Sequence, residues 1–169
     1  MKSISFRNDV LPLKNGLYRL ALRITLNPAE AEDIVQDTLI KVWDKRESWH
    51  EIESIEAFSM TICRNLALDR LKKKGNDNIT FEEATIDPAT TSTPYEQMLL
   101  RDRIEQVRRL INALPEKQRS CIQLRDFEGK SYKEIATVLG ISEEQVKINI
   151  YRARQTIKQR FEKLEQHGL

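Results

Sequence analysis

Apolar residues recur along this chain at intervals of three and four, not two. Leu13, Leu17, Leu20, Ala21 and Ile24 fall on one helical face. Ala31, Ile34, Val35, Thr38, Leu39 and Val42 fall on the next. A period near 3.6 marks amphipathic helices with one buried stripe. The start signals agree. Asn27-Pro28-Ala29-Glu30 offers a cap, a proline at the first helical position and a glutamate placed to close a capping box. Thr93-Pro94-Tyr95-Glu96 repeats the arrangement. The pattern predicts a helix through 13–24 and further helices at about 28–44, 55–73, 94–111, 115–126, 131–138 and 142–164.

Between the third and fourth of these lies KKKGNDNITFEEATIDPATTSTP, which has no periodicity and is rich in Thr, Asp and Asn. It reads as an exposed, flexible linker. The expected fold is all-α: a small helical domain at 1–74, a linker at 75–93 and a second helical domain at 94–169. Forty per cent apolar content can build cores, although two small ones would each be thin.

Charge sharpens this division. The net charge is only +2. Residues 1–74 carry 13 basic and 11 acidic side chains, 75–93 carry four acids and no base, and 94–169 carry 15 basic and 11 acidic. Two basic blocks therefore flank an acidic connector. Cys63 and Cys121 have no metal-ligand spacing and read as buried free thiols in a reducing compartment. The only histidines are His50 and His167, and no motif pairs a nucleophile with a base, assembles a metal set or cradles a phosphate. The expectation is a non-enzymatic protein without cofactor or small-molecule substrate. No apolar run approaches transmembrane length, and the N-terminus lacks a signal-peptide layout, so a cytoplasmic location without membrane insertion is expected.

The C-terminal region carries two short capped helices joined by a glycine. Ser131-Tyr132-Lys133-Glu134 and Ser142-Glu143-Glu144-Gln145 are both capping-box sequences, and Gly140 supplies the turn between them. DNA-reading helix-turn-helix units use this arrangement, and a plain helical hairpin in a bundle can share it. On the helix from Ser142, Val146, Ile150, Ala153 and Ile157 define the buried face. Lys147, Ile148, Tyr151, Arg152, Gln155 and Lys158 lie opposite, with Glu144 among them. Lys147, Arg152 and Lys158 can neutralise phosphates or bond guanine edges, and Ile148 can meet a thymine methyl.

Two N-terminal faces differ from it. Opposite the core stripe of the second helix stand Asp33, Gln36, Asp37 and Asp44 around Ile40. Such a face repels nucleic acid and suits a basic protein groove with the isoleucine as anchor; an ordinary solvated face has the same pattern. The third helix places Thr61, Arg64, Asn65 and Lys72 on one arc, with Trp43, Trp49 and Phe58 nearby. A melted strand with an unstacked base would suit that arc. On pattern alone, core aromatics and a basic helix end that the dipole favours are the preferred account of it.

Three segments in this order, AEDIVQDTLIKVW, ICRNLALDRLKKK and LPEKQRSCIQLRDFEGKSYKEIATVLGISEEQVKINIYRARQTI, resemble the extracytoplasmic-function sigma factors, small sigma subunits of bacterial RNA polymerase. The resemblance runs from about Leu11 to Arg160. It implies that Asp33, Gln36, Asp37 and Ile40 dock on the clamp helices of the large polymerase subunit. It implies that the segment from about Asp44 to Glu56, with Phe58, Thr61, Arg64 and Asn65, recognises the minus-ten element as melted strand. It implies that Lys147, Ile148, Asn149, Tyr151 and Arg152 read the minus-thirty-five element as duplex. The implied partners are core RNA polymerase, through its clamp helices and flap, promoter DNA and an anti-sigma factor. Ile148 and Asn149 depart from the small and basic residues frequent there, and Ser59-Met60 stands where aromatics are frequent. A helix-turn-helix regulator acting without the polymerase is the alternative that the residues alone leave open.

Overall fold

The computed structural model describes residues 3–74 and 93–166, so the expected linker lies outside the described residues except for Thr93. The first half contains α1 (Lys14–Thr25), α2 (Pro28–Asp44) and α3 (Ile55–Lys74). The second contains α4 (Pro94–Asn112), α5 (Glu116–Ile122), α6 (Tyr132–Leu139) and α7 (Glu143–Gln166). A single π-helical turn, Gln123–Phe127, extends α5. Two features were not expected from periodicity: a turn at Phe6–Val10 and a 3-10 segment at Arg46–Glu51. Both are too short for a 3.6-residue pattern to register.

The caps form with local differences. Asn27 accepts the Glu30 amide at 3.2 Å, but the Glu30 carboxylate pairs with Lys74 at 2.7 Å instead of closing a box. That pair, with Arg70 against Asp33 at 3.1 Å and Asp37 at 3.5 Å, clips α3 antiparallel onto α2. Thr93 and Glu96 form both bonds of a capping box, as do Ser142 and Gln145. Ser131 caps the Glu134 amide, but Glu134 then bonds the serine hydroxyl rather than its amide, so this box is half made. Gly140 ends α6 in the left-handed region, φ 68°, and its amide donates to Ala136 at 2.8 Å. Leu26 ends α1 the same way at φ 59°. A leucine there is strained, and its near-complete burial offsets the cost.

The two halves share one core. Leu17, Leu20 and Ile24 of α1 and Cys63 and Ala67 of α3 belong to the same buried cluster as Leu124, Ile135, Val146 and Ile150. α1 packs on α5, and α3 packs on α6. The two small helical units expected from the sequence meet here in one buried cluster. Helical units this small bury little of their own surface, and joining them removes more apolar area from water. A second cluster gathers Val10, Val42 and Trp49 with Phe6 and Phe58 at the far end of α2. Both cysteines are free and buried, and burial pushes the Cys63 thiol up to about 12 and the Cys121 thiol up to about 11. Among the described residues, no helix is long and apolar enough to cross a membrane.

Candidate nucleic-acid interface

α7 is a two-faced helix built by its own sequence. Val146, Ile150 and Ala153 are buried, while Lys147, Ile148, Tyr151 and Arg152 are exposed and Asn149 lies at the boundary. Ile148 keeps 41% of its surface and Tyr151 keeps 65%, which leaves both available to a partner. Asn149 anchors its amide nitrogen on the Gln145 carbonyl at 2.8 Å, fixing the side chain along the helix. Lys147 reaches back over the Tyr132 ring of α6 at 5.4 Å, and Arg125 lies over that ring at 4.2 Å. Tyr132 thus couples the two helices of the helix-turn-helix and holds two cations beside it.

Ile148, Asn149 and Arg152 line a cavity of about 270 Å³ with Lys117, Ile141 and Gln145. Lys117 was not singled out in the sequence. It lies on α5, 26 residues before the start of α7, and no local pattern marks it. The basic run of α7 is also less uniform than it reads: Arg154 is bonded to Asp126, which raises the pKa of its guanidinium, so it ties α7 to the preceding turn.

The acidic face of α2 is open. Asp33, Gln36 and Asp37 are exposed, and Ile40 keeps 58% of its surface. Arg70 reaches the two aspartates from α3, so the face carries less net charge than its sequence suggests.

The third candidate face differs from expectation. Asn65 and Lys72 are exposed, while Thr61 and Arg64 are not. Phe58 is half-buried against the second cluster, and Thr61 donates its hydroxyl to the Ala57 carbonyl at 2.7 Å. Arg64 is only 5% exposed, with its guanidinium bonded to both oxygens of Glu116 at 3.1 and 2.9 Å. The reason is the packing of the second half over α3. Ser59 and Met60 are buried too, so neither offers a surface for stacking. Trp49 is buried with its indole N–H donated to the Val42 carbonyl at 2.9 Å. Trp43 is 44% exposed, with Phe6 at its edge and Arg46 over its face at 4.5 Å.

These surfaces sit on segments with known relatives. Residues 10–76 match the Sigma-70 region 2 family and residues 104–157 match Sigma-70, region 4. The RNA polymerase sigma-H factor of Pseudomonas aeruginosa is 30% identical over 92% of this chain and 85% of its own length. The ECF RNA polymerase sigma factor SigL of Mycobacterium tuberculosis is likewise 30% identical, over 88% of this chain and 84% of its own length. The chain belongs to the extracytoplasmic-function sigma factors. As a sigma factor it spans only 40% of another relative, "Probable RNA polymerase sigma factor RfaY" of Xanthomonas campestris, which is 29% identical over 90% of this chain. In shape, this sigma factor is similar to RpoE of Bartonella quintana, solved in complex with the anti-sigma factor NepR. The TM-score is 0.73 at 27% identity, covering 91% of this chain and 94% of that one. The two matched segments thus fall one in each half described above, in the family's order.

Proposed function

We propose that this sigma factor docks on core RNA polymerase through α2 and reads two promoter elements with its two halves. The first half, 1–74, would serve as region 2 and the second, 94–169, as region 4. Asp33, Gln36, Asp37 and Ile40 supply a docking face in which one aliphatic anchor is ringed by acids, a layout suited to a basic groove. Lys147, Ile148, Asn149, Tyr151 and Arg152 supply the duplex reader for the minus-thirty-five element. Phe58, Thr61, Arg64 and Asn65 supply the reader for the melted minus-ten strand. The observation that carries this reading is the pairing of opposite surfaces on one chain: an exposed acidic face on α2 and an exposed cationic face on α7. The first suits protein and the second nucleic acid.

The division of labour follows from energetics. Unstacking base pairs costs several kcal/mol in total, more than a few stacked bases and a small basic patch return. A rigid frame that holds both readers at a fixed spacing makes the second contact effectively intramolecular. The polymerase is that frame. RpoE of Bartonella quintana was solved with an anti-sigma factor, and a protein partner of that class is part of this reading.

The test is fluorescence anisotropy at matched salt on duplex fragments selected by the reconstituted holoenzyme. The holoenzyme is expected to bind at least a hundredfold tighter than the free chain. Equal affinities would make the protein a free-standing regulator.

A further inference from the structure

The cavity beside α7 combines two cations with two carboxamides. Lys117 of α5 and Arg152 of α7 line it together with Gln145, Ile148 and Asn149. The two carboxamides are differently engaged. The side-chain oxygen of Gln145 accepts the Ser142 backbone N–H at 3.1 Å, so that oxygen serves the cap. Asn149 is the reverse. Its amide nitrogen donates to the Gln145 backbone carbonyl at 2.8 Å. A carbonyl only accepts, so this bond fixes which end of the carboxamide faces the helix. Oδ1 is left for a partner, and the nitrogen keeps its second hydrogen.

The same bond restrains the side chain. Asn149 lies in the second turn of α7, in the part of a recognition helix that meets base edges. A short side chain held on its own backbone brings one geometry to the groove. It gives up less rotamer freedom on contact than a lysine or an arginine does. An acceptor with a donor beside it has one complement among the bases. Adenine presents N6 as donor and N7 as acceptor in the major groove. Guanine offers two acceptors, cytosine one donor, and thymine an acceptor and a methyl. Lys117 cannot discriminate in this way. It is an exposed lysine in the first turn of α5. An ammonium on a long stem suits a phosphate, which is the same in every sequence.

We propose that Asn149 makes this sigma factor select an adenine within the minus-thirty-five element, accepting from N6 and donating to N7, while Lys117 holds a phosphate of the same site without regard to sequence. The proposal rests on the reading of α7 as the duplex reader given above and names what that reader requires.

The test is selection by the reconstituted holoenzyme from promoter-length duplexes randomised through the minus-thirty-five element. The wild-type protein is expected to favour adenine about tenfold at one position. Asn149→Ala should flatten that position alone. Asn149→Asp keeps the acceptor and lacks the donor, so it should turn the preference towards cytosine, a change that a merely structural role would not produce. In the selected duplex, purine in place of that adenine removes the N6 amine, and 7-deazaadenine removes N7. Each should weaken wild-type binding about three- to tenfold and Asn149→Ala binding no further. Lys117→Ala should weaken all duplexes alike, keep the adenine preference and lower the salt dependence by about one phosphate contact. A selected element that Asn149→Ala leaves intact would overturn the adenine assignment while the duplex-reader reading stands. A loss spread evenly over all positions, the mark of a damaged helix, would overturn it too. So would a base other than adenine at the position that Asn149→Ala relaxes. A shift in base preference with Lys117→Ala would contradict its sequence-neutral role. A wild-type holoenzyme that enriches no sequence there would take down the reading of α7 itself, and the assignment with it.

Discussion

Arg64 shows how a residue's neighbours across the chain decide what it does. In the sequence it lies on a polar arc beside Asn65, and its helical neighbours give no reason to bury it. The partner that buries it, Glu116, is 52 residues away. No local rule could supply that distance. The cysteines are the opposite case. Both lie within apolar stripes, and both are buried as the stripes require. Their chemistry carries a prediction. Each folded-state pKa is raised above the ordinary 9.0, so the folded protein keeps protons that the unfolded chain releases. The stabilisation from the neutral thiols is fully present below about pH 9 and is lost as the pH rises through about 11 and 12. Unfolding by urea should show stability falling between pH 9 and 11, and Cys63→Ala should flatten that fall while lowering stability at neutral pH. At pH 8 a thiol reagent should leave both cysteines unmodified until denaturant is added.

At the scale of elements, helix starts were the most legible feature of the chain. Asn27, Thr93, Ser131 and Ser142 each cap the helix their sequence announces. Helix ends were read where glycine marks them, as at Gly140, and missed where a left-handed leucine does, as at Leu26. A non-glycine residue at positive φ has no sequence signature, because burial holds it there. The two-faced character of α2 and α7 was also legible, since one helix carries both stripes within its own residues. Gly140 can be tested alone. A Cβ at this position would meet nothing within 4 Å, so the cost of Gly140→Ala is backbone strain without a clash. It should lower stability by about 1–2 kcal/mol, measured in urea, and leave the helical content unchanged.

At the scale of the molecule, the sequence suggested two small helical domains on either side of a linker, and in the structure their apolar faces meet in one core. Composition announced that the halves were small. It could not announce that each would complete the other, because the joining contacts pair residues from separate periodic segments. The same packing buries Arg64 of α3 and leaves Asn65, the acidic face of α2 and the outer face of α7 exposed. The central claim is that this sigma factor engages the polymerase through the acidic face of α2. The direct measurement is co-elution of the full chain with core RNA polymerase on size exclusion, with and without Asp37→Arg. Asp37 is exposed and only 3.5 Å from Arg70, so the substitution should cost the fold about 1 kcal/mol or less. The account predicts stable co-elution of the wild-type chain and its loss in the variant. Co-elution that survives the charge reversal would place the docking surface elsewhere, and a wild-type chain that fails to co-elute while binding duplex DNA tightly would contradict the account.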